Sequence, residues 1–500
     1  MTALKRQDVY LLSFLLLVVL VIFYPVFYTE YAYTDEYTLL TNYRPGSGFT
    51  SFTAQGRGIM EFFISTSYSA INAIAEISCI RAFALFMWLA CVPIWYITVK
   101  RIAANGPGYE YLPFFTCLYL VTSLPFSITV QWTSCMQLSI ANTAALLSGA
   151  IWHKSIKDKE KLWSIPVGAA LASVVVGLIA MFSYQSGFGC FLVPFLLHYI
   201  SAYTTRKDMV LIKGMAFYVL MYAVYFVVFK LSLIIFHVPG DSRTGVGINP
   251  EKIVWFFWQP LKRAFWFNLV LSNDNVLARV LYFMLFAGWV ALAFIRFGIK
   301  NRLQAVKYLV AAILVFMASY LPGLVVKENY SSNRTLFAID MCVFIVCAEM
   351  VLYVVKNVQL RRVTGISLAI ALVIAGWYNF NKQFLQPIHE EYTSVKRYIL
   401  QHYNKNITTV YFIKPAEDAF RKKYHIAISM DEFGVPATFF NWVPEPMVKL
   451  LVYEKYGTRE EAGKLIVKQW DDEESFKASG EKITANTLVV NVPEILNTRY

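Results

Sequence analysis

Apolar residues along this chain come in blocks of about 20, separated by short polar stretches. That is the length an α-helix needs to cross a hydrocarbon core roughly 30 Å thick. Eleven spanning helices are predicted, at roughly 9–28, 82–99, 111–129, 132–152, 162–182, 188–204, 214–236, 277–295, 308–324, 336–355 and 363–380. The first is expected to be retained: its apolar run is too long for a signal peptide, and Tyr24-Pro25-Val26-Phe27-Tyr28-Thr29-Glu30 offers no small-residue cleavage site. Two connecting segments are too long to be mere turns, 29–81 and 237–276. In the first, Gly58–Cys79 reads as a helix with Glu61, Ser65, Asn72 and Glu76 off its apolar face, too polar to span and suited to the interface. The second carries Val254-Trp255-Phe256-Phe257-Trp258, Lys262-Arg263 and Trp266, a mixture suited to a ledge at headgroup level.

Composition fits this pattern. Of 500 residues, 57% are hydrophobic and 15% charged, against about 25% charged in soluble domains, and the mean hydropathy is +0.49. A soluble enzyme, a disordered chain and a collagen-like chain are excluded. The net charge of +13 resides in short clusters between apolar blocks, such as Lys100-Arg101, Arg206-Lys207 and Lys356 to Arg362. No basic stripe with interleaved aromatics appears, so nucleic acid is not an expected partner. With the N-terminus in the cytoplasm, the inner loops hold 18 Lys and Arg in about 56 residues and the outer ones 9 in about 108. That asymmetry predicts this orientation and, after eleven crossings, an external C-terminal tail.

The tail, from about 381 to 500, holds 16 of the chain's 32 acidic residues. Strand-like runs at Thr408–Ile413 and Thr487–Val492, with amphipathic helices at Glu445–Tyr456 and Arg459–Trp470, predict a small external α/β domain over 381–500, following a transmembrane domain over 1–380. All seven cysteines lie in or beside apolar spans, with no CxxC pair, and the six histidines show no i, i+4 pair. No metal site is read from them.

A few residues can carry chemistry. Asp35-Glu36 lies just beyond the first span, where desolvation at a membrane face raises a carboxylate's pKa and makes it a usable base; the plainer role is a solvated loop acid. Arg57, between Gly56 and Gly58, opens the interfacial helix, and its guanidinium can pair a phosphate or a lipid headgroup. Tyr184-Gln185 ends the fifth span and can bind a sugar or serve as an interfacial anchor. Lys230 is an intramembrane cation, functional or snorkelling. Lys327 and Arg334 border a polar outer turn, and Arg243, Lys262 and Arg263 lie in the 237–276 loop.

The order of these features is similar to the GT-C superfamily of integral-membrane glycosyltransferases. More narrowly, it resembles the serotype-converting O-antigen glucosyltransferases. The shared marks are an acidic pair in the first outer loop (Asp35-Glu36), a Gly-Arg on the following helix (Gly56-Arg57) and a Tyr-Gln at the end of a middle span (Tyr184-Gln185). The resemblance covers residues 1–380 as an architecture and the tail only as a small outer domain. It implies an inverting transfer of a sugar, glucose in that family, from a polyprenyl-phosphate carrier to a lipid-linked surface polysaccharide on the outer face of a bacterial inner membrane. It also implies a partner flippase and a donor-synthesising glycosyltransferase, with membrane lipids around the bundle. Asp35 would be the general base and Glu36 an auxiliary carboxylate, or the base itself. Arg57, Lys230, Arg243, Lys262, Arg263 or Arg334 would hold the leaving phosphate, with Tyr184, Gln185 and Lys327 completing the substrate site. No cofactor is implied; a divalent ion on Asp35 and Glu36 is the alternative. An O-antigen-type polymerase or ligase is the rival reading, favoured by the basic 237–276 loop, and a polysaccharide transporter is a further one.

Overall fold

The computed structural model describes residues 5–43, 50–103, 109–159, 166–201, 207–241, 245, 247, 249–272, 275–298 and 301–498. Seven of its helical stretches are long and apolar enough to cross a membrane: 6–27, 74–102, 207–235, 276–297, 302–319, 333–354 and 358–402. An eighth crossing results if the bent pair 109–122 and 124–131 counts as one. This is a multi-pass helical membrane protein.

The remaining apolar blocks fall short of that test for physical reasons. The helix Leu138–Ile156 buries Ser139, Asn142, Thr143 and Ser148, polar residues that a lipid-facing helix could not carry. Val167–Ser183 has 17 residues, about 26 Å at 1.5 Å per residue. The next block begins as a tight 3-10 run, Gln185–Leu192, before relaxing into the helix Val193–Ile200. The bend of 46° between 109–122 and 124–131 follows from Ser123 and Pro125. Pro125 has no N–H to give, and the Ser123 hydroxyl caps a new helix by accepting from the Phe126 amide.

Asn333–Val354 is the central helix. Every residue from Leu336 to Val346 is buried, as expected of a helix with no polar face. Trp88 and Trp95 pack on its Phe337. The 185–200 segment comes very close to two neighbours through glycine. A Cβ on Gly149 would stand 2.2 Å from the Phe191 carbonyl, and one on Gly189 would stand 2.2 Å from that of Ser319.

Charges gather at the two ends of the bundle. At one end Asp8 pairs with Lys100 and accepts from the Tyr96 hydroxyl, while Arg296 pairs with Glu349 and donates to the Ile200 carbonyl. The Tyr109 hydroxyl also donates to Glu349. At the other end lie Asp35, Arg57, Tyr184 and the chain beyond Tyr378.

That last part begins when the helix Val358–Tyr378 passes through a π-helical turn, Asn379–Leu385, and continues as Gln386–His402. Beyond it, strands β1 (Thr409–Ile413), β2 (Ile466–Trp470) and β3 (Thr487–Asn491) form a parallel sheet in the order β2-β1-β3, with Thr409 opposite both Ile466 and Thr487. The expected helix 459–470 stops at Lys464, and its second half is β2. Pairing along the edge of β1 decides Ile466-Val467-Lys468, whose β-branched residues suit a strand. The expected interfacial helix 58–79 is also shorter, Gly58–Ser69. Glu76 accepts from the Asn72 and Ala73 amides and starts the second span.

The Arg296–Glu349 pair is almost wholly buried, with side chains 5% and 0% exposed. Glu349→Ala is expected to destabilise the solubilised protein by about 3–5 kcal/mol, because a buried cation is left without its partner. Replacing both, Arg296→Met with Glu349→Leu, should recover most of that loss in thermal unfolding; a double variant as weak as the single one would refute this account.

Candidate functional site

The acidic pair divides into two roles. Asp35 and Glu36 open the helix Asp35–Asn42, where the helix dipole favours negative charge. Glu36 is fully buried, and both its oxygens are taken. One accepts from the Tyr33 amide (2.8 Å) and pairs with Arg81; the other accepts from the amide and hydroxyl of Thr133 (2.7 and 2.8 Å). Arg81 is buried as well. Its guanidinium lies 3.4 Å over the Tyr31 ring and donates to the Tyr31 and Gln131 carbonyls. Glu36 is therefore a structural anchor, with no oxygen left to act as the base or as the open auxiliary carboxylate the resemblance implies. Asp35, one residue earlier, is half-buried. It follows Thr34, a buried β-branched residue at φ +42°, a backbone region that costs about 1–3 kcal/mol and concentrates at functional sites. The Thr34 hydroxyl and Arg81 Nη1 have no hydrogen-bond partner among the described residues.

Arg57 and the Tyr184-Gln185 pair, 128 positions apart, meet. The Arg57 guanidinium sits 4.5 Å over the Tyr184 ring, and its Nε donates to Gln185 Oε1 at 3.2 Å. Gln185 Nε2 in turn donates to the Gln55 carbonyl and to the Tyr225 hydroxyl, which donates to the Gly56 carbonyl. Gly56 has φ +77°, and a Cβ there would stand 2.2 Å from the Tyr225 hydroxyl. Glycine is required on both counts. Beside this knot opens a crevice of about 340 Å³, walled by Gly56, Gly58, Ile59, Leu178, Phe182 and Phe236 and almost entirely apolar.

The other expected cations are placed differently. Arg334 lies 4.4 Å over the Trp132 ring and pairs with Asp431 (3.1 Å) and, more distantly, Glu432 (3.8 Å). Arg263 is buried and donates to the Ser331 carbonyl, Asn333 Oδ1 and the Ser429 hydroxyl. These three bonds tie Arg263 to the chain on either side of the central helix's head. Lys262 is buried beside the Trp266 ring. Lys230 is exposed on the flank of its helix, near the Phe226 and Phe229 rings, which suits a snorkelling lysine. Lys327 is exposed, and its backbone pairs with Gly245. Arg243 lies outside the described residues.

Trp132 joins the two halves of the site, meeting Tyr33 edge-on at 5.5 Å while Arg334 covers its face. The arrangement offers a half-buried carboxylate, an arginine on an aromatic ring and an apolar crevice that could hold a hydrocarbon chain. Among the described residues no three His, Cys, Asp or Glu side chains are grouped to hold a metal ion. Four participants escaped the sequence reading: Arg81, Trp132, Tyr225 and the turn at Asp431-Glu432. Arg81 alone carried a signal, a cation at the head of an apolar span. No family model and no curated protein matches this chain.

Glu36→Ala is expected to cost about 3–5 kcal/mol through the stranded Arg81, whereas Asp35→Asn should leave the thermal midpoint of the purified protein nearly unchanged. Equal losses would contradict the division of roles. Gly56→Ala should displace Tyr225 and Gln185 together, visible as faster proteolysis near residue 57.

Proposed function

We propose that the protein is an inverting membrane glycosyltransferase, moving a sugar, glucose by the family resemblance, from a polyprenyl-phosphate carrier to a lipid-linked surface polysaccharide such as O-antigen. The observation that carries this reading is the meeting of Gly56-Arg57 with Tyr184-Gln185 beside an apolar crevice, at the same end of the bundle as Asp35. A carrier lipid has an apolar chain and an anionic head. The crevice suits the first and the Arg57 guanidinium the second.

Eleven crossings follow if the bent pair, Leu138–Ile156, Val167–Ser183 and 185–200 each traverse the bilayer along with the seven longer helices. That count is supported by the ion pairs at the far end. Asp8–Lys100 and Arg296–Glu349 join only helix ends that eleven crossings assign to the cytoplasm. Asp35, Arg57, Tyr184 and Arg334 all come from ends assigned to the outer face, that of a bacterial inner membrane in this reading. The C-terminal sheet and its helices are then the external α/β domain.

In the reaction, the acceptor hydroxyl attacks the anomeric carbon as Asp35 takes its proton. The anomeric carbon–oxygen bond to phosphate breaks, and polyprenyl phosphate leaves with the electron pair. Arg57 steadies the phosphate, and Arg334, stacked on Trp132, faces the same charge. Glu36 and Arg81 hold the Asp35 helix in place.

The test compares surface glycans by mass spectrometry from cells carrying wild-type protein, Asp35→Asn or no protein. A side-branch hexose lost in the variant and the null, with backbone length unchanged, is expected. Shortened chains in the null would mean a polymerase instead, and unchanged glycans would reject both. Arg57→Ala is expected to raise the KM for the donor about 10- to 100-fold, the worth of a charge-assisted bond.

A further inference from the structure

The C-terminal region enters the site through one turn. Ser429 and Phe433 bridge across it, Met430 takes φ +53°, and Gly434 at φ +75° closes it. The turn presents a second acidic pair, Asp431-Glu432, built like the first. In each pair the glutamate is fully buried and saturated, the aspartate is only partly covered, and the preceding residue is a non-glycine at positive φ. Glu432 accepts from the Asn333 amide (2.7 Å), Asn333 Nδ2 (2.8 Å) and the Arg334 amide (3.1 Å), at the head of the central helix. Burial pushes its carboxyl up, against the pull of Arg334. Asp431 retains 29% exposure and accepts from Arg334 Nη2 and the Tyr330 hydroxyl. The two pairs are bolted to each other. The Tyr33 hydroxyl donates to the Asp431 carbonyl at 2.6 Å while the Tyr33 amide holds Glu36. Gln131 donates to the Glu432 carbonyl, and its own carbonyl receives Tyr31 and Arg81.

From this geometry we infer that Asp431 is a positioning residue of the transfer site, supplied by the C-terminal region, which aims Arg334 at the phosphate leaving the sugar. The inference rests on the glycosyltransferase reading. Arg334 makes its bonds to Tyr330 and Asp431 through a single amino group, Nη2, and its side chain remains 16% exposed over Trp132. A guanidinium held from one side by a carboxylate and from below by an indole face is fixed in direction as well as place. As the carbon–oxygen bond breaks, charge grows on the phosphate, and a pre-aimed cation stabilises that state more than the bound donor. The strain at Met430 has the same meaning as at Thr34: the fold bends the chain to put a carboxylate where it is needed.

The test uses the full chain in membrane vesicles with polyprenyl-phosphate-linked glucose as donor, and compares Asp431→Asn, Asp431→Glu, Ser429→Ala and Asp35→Asn, each normalised to folded protein. Protection of the turn from protease is read in parallel. Asp431→Asn should lower kcat about 100-fold, as expected of a misaimed group, with the KM for donor nearly unchanged and the turn still protected. Asp431→Glu should recover part of the rate. Ser429→Ala removes a bond to Arg263 and Asn333 without touching Arg334, and should loosen protection while largely keeping kcat. Wild-type kinetics in Asp431→Asn beside an inactive Asp35→Asn would overturn the inference and leave the transferase reading standing. Activity falling in step with protection in both turn variants would reduce the turn to a docking element, overturning it as well. An active Asp35→Asn would overturn both.

Discussion

The site depends on one buried ion pair. Arg81 enters at the head of the second span and meets Glu36 where neither side chain touches solvent. Such a pair repays its desolvation only when most of its remaining donors and acceptors are placed. Here Tyr33 and Thr133 take both Glu36 oxygens, and the Gln131 and Tyr31 carbonyls with the Tyr31 ring hold Arg81, leaving only Nη1 without a partner among the described residues. The result joins three pieces of chain: the exit of the first span, the second span and the turn at Gln131–Thr133 that follows the bent helix pair. Because Asp35 is the residue before Glu36, its position is inherited from this network. The strained Thr34 is tolerated for the same reason, since the groups on either side of it are overdetermined.

The helical, membrane-crossing character of the chain was legible because lipid imposes a length and an apolarity that few other structures share. The short motifs Asp35-Glu36, Gly56-Arg57 and Tyr184-Gln185 were legible as polar residues at helix ends, and the Arg57–Gln185 contact brings two of them together. What each cation does was not legible. Arg263, Arg334, Lys262 and Lys230 look alike in a list of outer-face charges, yet one is buried in backbone and serine contacts, one faces an indole, one lies under a tryptophan and one reaches along its helix into the open. Those differences arise from long-range contacts, above all with the turn at 429–434, and no local pattern encodes them. The misread strand at Ile466–Trp470 has the same origin, because its period fits a helix until β1 offers an edge.

The C-terminal region is tied to the bundle by contacts of several kinds. Lys396 pairs with Glu30 just past the first span, Glu454 accepts from the Ile74 amide at the start of the second, and Asp431 and Glu432 grip the head of the central helix. Three separate attachments around one site do more than tether a mobile appendage. Each adds a constraint on where the turn at Met430 can sit, so the acidic pair reaches Arg334 in a single geometry.

The proposed transfer at the membrane face has to reconcile two opposing needs. A carrier's chain would stay in hydrocarbon, while its phosphate and the attacking hydroxyl would meet charged groups that hydrocarbon excludes. This fold separates the needs in space: the apolar crevice lies against Gly56 and Gly58, and the polar residues begin at Arg57 between them. The knot of Gln185, Tyr225 and the Gly56 carbonyl marks that boundary, because these polar groups are hydrogen-bonded to one another beside the apolar wall. Each of the two acidic turns has a buried glutamate as its footing. In the proposed transfer, a carboxylate that is half-covered and held by a rigid neighbour would meet a substrate already desolvated in part, the condition under which a carboxylate serves as a base.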